Sequence, residues 1–204
     1  MRHFFKTPII HRWFFYRRIW GFSTKKKVYL TFDDGPTKEL TNWILDYLKK
    51  ENIKATFFCV GENAKAHPEL IERMVLEGHV IGNHTMHHEK GTATSKANYL
   101  ASIEEASQHI DSSLFRPPYG RMWVKYSRAI RKKYKIIMWS WLSYDYDASV
   151  SVDTILSRAK KQIKGGDIIV LHDNLKVEDR IKVLLPELVK VIRKKGLGFE
   201  KIEF

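Results

Sequence analysis

At 204 residues, with 44% hydrophobic and 29% charged side chains, the chain has the length and composition of one sizeable soluble domain with a real core. Its only cysteine, Cys59, excludes an intrachain disulfide and a thiolate metal cluster. The net charge of +13 is concentrated at the front: residues 1–27 hold eight of the 36 Lys and Arg and none of the 23 Asp and Glu.

Residues 1–24 form a basic leader in which Arg2, Lys6, Arg12, Arg17 and Arg18 alternate with Phe4, Phe5, Trp13, Phe14, Phe15, Tyr16, Ile19 and Trp20. Its longest apolar run, Trp13 to Tyr16, is far too short for a membrane span or a signal-peptide core, so a cytoplasmic or peripheral-membrane location is expected. Two placements stay open for residues 1–22. They rest on an anionic membrane surface, or they fold back and bury their aromatics on the domain. No nucleic-acid motif accompanies the charges, so RNA or DNA is not the expected partner.

From residue 25 to 204 the pattern is one of short apolar runs alternating with helical periods. Val28-Tyr29-Leu30 reads as a buried strand that ends in Thr31-Phe32-Asp33-Asp34-Gly35-Pro36. Leu40, Ile44, Leu45 and Leu48 follow at helical spacing, and Ala55 to Val60 is a second strand. Pro68 opens a helix that Gly78 closes. Val80-Ile81 is a third strand, residues 96–111 a helix, Leu114-Phe115 a short strand, and residues 123–134 another helix. Ile136 to Trp141 predicts a strongly apolar strand, 151–163 a helix and Ile168 to Leu171 a fully buried strand. The last helix, with Ile181, Leu184, Leu185, Leu188, Val189 and Ile192, contains Pro186, where a kink or restart is expected. Leu197 to Ile202 closes as a strand. Repeated strand-then-helix units predict an α/β fold with a parallel sheet and outer helices, open or barrel-like.

The unusual polar residues each follow an apolar strand, where parallel folds gather their chemistry. Asp33 and Asp34 repel one another at the mouth of a strand; a metal cation removes that objection, while a simple turn-and-cap role is the competing reading. His84 and His88 in His84-Thr85-Met86-His87-His88 come together if the segment makes a helical turn, and two imidazoles with a carboxylate are a common divalent-metal set. In Arg116-Pro117-Pro118-Tyr119-Gly120 a rigid turn is suited to aiming a backbone amide at an oxyanion, and Arg116 to pairing with a carboxylate. His172, at the end of the most apolar strand, is suited to acid-base work near neutrality.

Taken together and in this order, these stretches resemble the five motifs of the polysaccharide deacetylases, the NodB-homology domain of carbohydrate esterase family four, over residues 28 to 202. The resemblance implies a distorted (β/α) barrel of about seven parallel strands. It implies one divalent ion, most often zinc with cobalt or nickel as alternatives, held by Asp34, His84 and His88. It further implies Asp33 as general base, Arg116 as its charge partner, the Tyr119 backbone N–H at the oxyanion, and His172 as general acid. Leu171 would line the slot for the acetyl methyl group, and Pro118, Trp141 and Tyr146 the substrate wall. One motif departs from the family pattern: Leu142 and Tyr146 stand where an acid and a tryptophan are usual, while Asp145 remains to orient His172. The expected activity is removal of N-linked acetyl groups from an N-acetylglucosamine-type glycan or glycolipid. An O-acetyl esterase and a non-catalytic, metal-retaining carbohydrate-binding relative are the alternatives.

Overall fold

The computed structural model describes residues 3–204. Eight strands form one parallel sheet: β1 (Lys27–Asp33), β2 (Thr56–Cys59), β3 (Val80–Asn83), β4 (Leu114–Phe115), β5 (Lys135–Ile136), β6 (Trp141–Leu142), β7 (Ile168–His172) and β8 (Gly198–Glu200). The order is β5-β4-β3-β2-β1-β7-β6, with β8 paired to the beginning of β1. The two ends of that order, β5 and β6, are joined directly by residues 137–140, so the sheet curls into the expected distorted barrel.

The helices are α1 (Ile9–Phe14), α2 (Lys38–Lys50), α3 (Gly61–Ala66), α4 (Pro68–Leu76), α5 (Lys96–Ala106), α6 (Ser127–Ile130), α7 (Val152–Gln162) and α8 (Glu178–Lys194). Strand alternation divides the core into an outer and an inner layer. On the outer side, Val28, Leu30 and Phe32 of β1 and Ile169 and Leu171 of β7 share one cluster with the apolar faces of α2, α7 and α8. On the inner side, Tyr29, Phe58, Leu114, Ile137, Ile168 and Ile202 fill the barrel. Gly82 is required there, because a Cβ at that position would lie 2.5 Å from the Phe58 ring.

Several expectations change in detail. The helix expected over 123–134 is reduced to a 3-10 turn (Val124–Tyr126) and the single turn of α6. Helix α5 stops at Ala106 rather than 111, and α8 runs through Pro186 as one 17-residue helix without restarting. The run Ile136 to Trp141 is not one strand: β5 ends at Ile136 and β6 begins at Trp141. The leader packs on the domain, burying Phe5 and Trp20. Lys6 bridges to Trp141, Ile19 to Ile137 and Gly21 to Asp167, so the leader crosses the seam between the ends of the sheet. Phe15, Ile19 and Phe22 are half-buried against the core, whereas Phe4, Ile9, Ile10, Trp13, Phe14 and Tyr16 stay in solvent. Among the described residues, no helix is long and apolar enough to cross a membrane.

Candidate active site

The inward-facing residues of β1 and β7 set the floor of the site. Thr31 is level with Val170, and Asp33 with His172, at the carboxyl ends of adjacent parallel strands. A cavity of about 790 Å³ opens above them, lined by Asp33, Asp34, His84, His88, Tyr119 and His172 among others.

Asp33 is buried and its Oδ1 accepts a hydrogen bond from Arg116 Nη1 at 2.5 Å. Arg116 is itself fully buried. It donates to Thr31 Oγ1 (2.7 Å) and to the Met138 carbonyl (3.1 Å), and its guanidinium lies 4.0 Å over the Phe58 ring. With every side of the cation occupied, Asp33 is held in one orientation. Its Oδ2 has no protein hydrogen bond among the described residues.

The chain then turns at Asp34, whose backbone takes a left-handed conformation (φ 82°). Asp34 Oδ1 lies 3.1 Å from His88 Nε2 and 3.8 Å from His84 Nε2. Two ligands bound at ~2.1 Å to a tetrahedral ion lie about 3.4 Å apart, so these spacings suit one shared cation. The segment 84–88 is not the helical turn expected for it. Left-handed backbone at Thr85 (φ 66°) and His88 (φ 57°) folds it tightly enough to bring both rings to Asp34. His84 Nδ1 donates to the Arg116 carbonyl at 2.7 Å, which leaves the Nε2 lone pair facing Asp34. Burial lowers the His84 pKa to about 4, keeping the imidazole neutral as a ligand must be. Burial pushes the Asp34 carboxyl up, but the His88 hydrogen bond and the surrounding imidazoles outweigh it and hold the group well below the usual carboxylate range.

His172 stands across the cavity floor from this set. Its Nδ1 donates to Asp145 Oδ1 and its backbone N–H to Asp145 Oδ2, both at 2.7 Å. Ser143 Oγ adds a third hydrogen bond to Asp145 at 2.8 Å. Burial alone would lower the His172 pKa; the charge and hydrogen bond of Asp145 reverse this and raise it to about 9. Asp147, two residues on, pairs instead with His3.

Tyr119 lies on the cavity wall in a left-handed turn (φ 59°), its ring 4.6 Å from that of His88, and Tyr146 packs edge-on against His172 at 4.9 Å. Gly120 follows with φ 65°, and a Cβ there would lie 2.4 Å from Trp139.

Three expected substrate contacts are corrected. Leu171 and Trp141 are fully buried in the outer cluster. Leu171 sits between Val170 and His172, so strand alternation turns it away and puts Val170 on the cavity wall. Trp141 is displaced because residues 137–140 are irregular. Trp139 faces in, Trp141 pairs level with Ile169 and faces out, and Leu142 faces in beside Val170. Pro118 is buried at the start of the turn and does not reach the cavity.

Other residues at the site escaped the sequence. Asn174 Nδ2 donates to Asp34 Oδ2 at 2.7 Å, and Asn63 Nδ2 to the Asp34 carbonyl at 2.8 Å, so two amides position the carboxylate. Asn174 lies only two residues past His172, but nothing in the local pattern marks it. Burial drives the pKa of the Asp173 carboxyl well up, despite hydrogen bonds from Thr41. Asp173 fills the space left by Gly35, where a Cβ would fall 2.3 Å from its carboxyl.

The polysaccharide deacetylase family pattern matches residues 22–139. The chain is 37% identical over 159 residues to a peptidoglycan-N-acetylglucosamine deacetylase of Bacillus cereus, covering 74% of this chain and 58% of that protein's length. It is 38% identical over 167 residues to a chitooligosaccharide deacetylase of a Bradyrhizobium species, covering 77% of this chain and 75% of the relative. Among solved structures, a peptidoglycan N-acetylglucosamine deacetylase in complex with a naphthalenyl N-oxidanyl-benzamide superposes with a TM-score of 0.78 at 32% identity, over 96% of this chain and 95% of the other. A carbohydrate esterase family 4 pseudoenzyme from Bacillus anthracis shares the fold at 23% identity and a TM-score of 0.76, over 91% of this chain and 67% of the other. Together with the strand-end carboxylates, the paired imidazoles and the curled parallel sheet, these likenesses place the chain in the polysaccharide deacetylase family of hydrolases.

Proposed function

We propose that this protein removes the acetyl group from the amide nitrogen of an N-acetylglucosamine-type glycan. The observation that supports this reading is one cavity in which a carboxylate clamped by arginine and an imidazole clamped by aspartate both flank the Asp34, His84 and His88 set. Those three side chains would hold a divalent ion, zinc by preference and cobalt or nickel as alternatives. When bound, the ion supplies Lewis acidity toward water and the acetyl carbonyl.

In this scheme Asp33 accepts the proton of the attacking water through the oxygen that Arg116 leaves free. The backbone N–H of Tyr119 is aimed at the oxygen that gains charge. His172, protonated at neutral pH through Asp145, donates its proton to the departing nitrogen. Trp139, Leu142 and Val170 offer an apolar wall for the acetyl methyl group, and the exposed rings of Tyr119 and Tyr146 a surface for the sugar. Both proton-transfer positions are filled, which favours an enzyme over a non-catalytic relative.

The rim narrows the substrate further. Lys90, Arg121 and Lys176 border the cavity, all exposed and none with a carboxylate partner among the described residues. Such a rim favours a glycan that carries carboxylates, such as peptidoglycan, over neutral chitin oligomers. Acetate release from peptidoglycan fragments and from chitooligosaccharides, measured for the native chain and for Asp33→Asn, tests both statements. The expected result is release from the acidic glycan that Asp33→Asn abolishes while metal content stays near one per chain. A substantial residual rate in Asp33→Asn removes it as the base; a preference for the neutral oligomers removes the role of the rim.

A further inference from the structure

A second cleft, of about 240 Å³, lies between the leader and α6 with its flanking residues. Arg17, Arg18, Arg128 and Arg131 all line it, and no acidic residue does. Arginines that pair with carboxylates do so elsewhere, at Arg73, Arg116 and Arg193; these four have no such partner among the described residues. Arg18 is only 7% exposed, stacked at 4.5 Å on the Phe15 ring, yet its Nη2 is buried without a hydrogen-bond acceptor. Arg131 Nε is buried without one as well. Four guanidiniums around one cleft repel each other, and an anionic oxygen in the cleft relieves that repulsion.

The surroundings select the source of that anion. Beside the cleft, Ile9 (79% exposed), Ile10 (57%), Trp13 (82%), Phe14 (75%) and Tyr16 (72%) crowd five large apolar side chains into eight residues of leader. This ridge is not a loose tail, because Thr7 N–H binds the Ser140 carbonyl before it and Ile19 pairs with Ile137 after it. A fixed ridge of tryptophan, tyrosine and aliphatic side chains beside unpaired arginines has the chemistry of a surface that enters the headgroup layer of an acidic bilayer. Aromatic and basic residues also suit single-stranded nucleic acid, but Ile9 and Ile10 offer nothing to base stacking and partition readily into acyl chains.

We infer that the arginine cleft binds the phosphate of an acidic lipid while the Ile9 to Tyr16 ridge rests in the bilayer surface. The test is flotation of the full chain with phosphatidylcholine vesicles containing increasing phosphatidylglycerol. Binding should climb with the acidic lipid, and Arg17→Glu combined with Arg128→Glu should weaken it by more than about tenfold. Ile10→Ser combined with Trp13→Ser, neither of which lines the cleft, should remove vesicle binding while leaving any protection by inorganic phosphate against thermal unfolding intact. Equal binding to pure phosphatidylcholine, or indifference to the arginine reversal, overturns the inference. So does tight binding of a single-stranded oligonucleotide without vesicle binding, which would point to nucleic acid. Should the arginine variant fail to fold, the native chain still decides: vesicle binding independent of phosphatidylglycerol content refutes the site.

Discussion

Replacing Asp145 with asparagine changes one charge in a buried side chain and almost nothing in its volume. In the native chain Asp145 accepts from both the ring and the backbone N–H of His172. Asparagine has one accepting oxygen for these two donors and turns an N–H toward the other. The favourable charge also disappears while burial of the imidazole remains. His172, raised from 6.5 to about 9 in the native protein, should therefore fall to its ordinary value or lower. That shift corresponds to about 3 kcal/mol of preference for the imidazolium. At pH 8 the protonated fraction drops from about nine-tenths to roughly one-thirtieth. The rate should fall accordingly, by roughly thirtyfold, as far as His172 acts as proton donor. In profiles of kcat against pH, the alkaline limb should move to lower pH in Asp145→Asn. Histidine NMR of the metal-stripped protein reads the same shift directly. Linkage gives a second signature. Because the folded-state pKa is raised, the stabilisation is complete below about pH 6.5 and is lost as pH rises toward 9. The difference in Tm between native and variant chains should be largest near pH 6 and shrink above pH 9. An unchanged alkaline limb, with a Tm difference indifferent to pH, would refute the pairing as the source of His172's protonation.

Further expectations concern the metal set and the cavity wall. His84→Ala and His88→Ala should each leave the chain with less than a tenth of the native chain's divalent-metal content by atomic absorption; a variant that keeps its metal refutes the ligand set. Asn174→Ala should preserve the ligands but loosen Asp34, weakening zinc affinity by about 10- to 100-fold in a chelator competition. Leu171→Ala should cost about 2–5 kcal/mol in urea unfolding with little change in KM, as befits a core residue. Val170→Phe should do the opposite, raising KM for the acetylated glycan by narrowing the wall at modest cost in stability. If Leu171→Ala instead alters KM alone, the facing of β7 is wrong.

Order along the chain sufficed for a parallel sheet with outer helices and for the gathering of polar residues at one rim, while the barrel came from the resemblance. A parallel sheet delivers the ends of its strands to one side, so Asp33, His84, Arg116 and His172, each just past an apolar run, had to converge. The resemblance carried by the same stretches supplied roles that the geometry accommodates. What depends on facing was beyond reach. A fully buried strand is apolar on both sides, so Ile168 to Leu171 carries no mark of which residues look inward. Only the pairing of β1 with β7 turns Val170 to the cavity and Leu171 to α7 and α8. At Trp141 the difficulty is sharper, because a one-residue irregularity near Ser140 reverses the alternation of everything beyond it. The tight fold of residues 84–88 rests on left-handed backbone at Thr85 and His88, which no helical or strand period announces. Asn174 reaches Asp34 across 140 positions of sequence. The leader was undecided for the same reason: its aromatics look alike in the chain, and only the seam between β5 and β6 buries Phe5 and Trp20 while leaving Trp13 and Phe14 in solvent. Composition and spacing report what a segment is able to bury, whereas partners supplied by distant segments determine which side of it is buried.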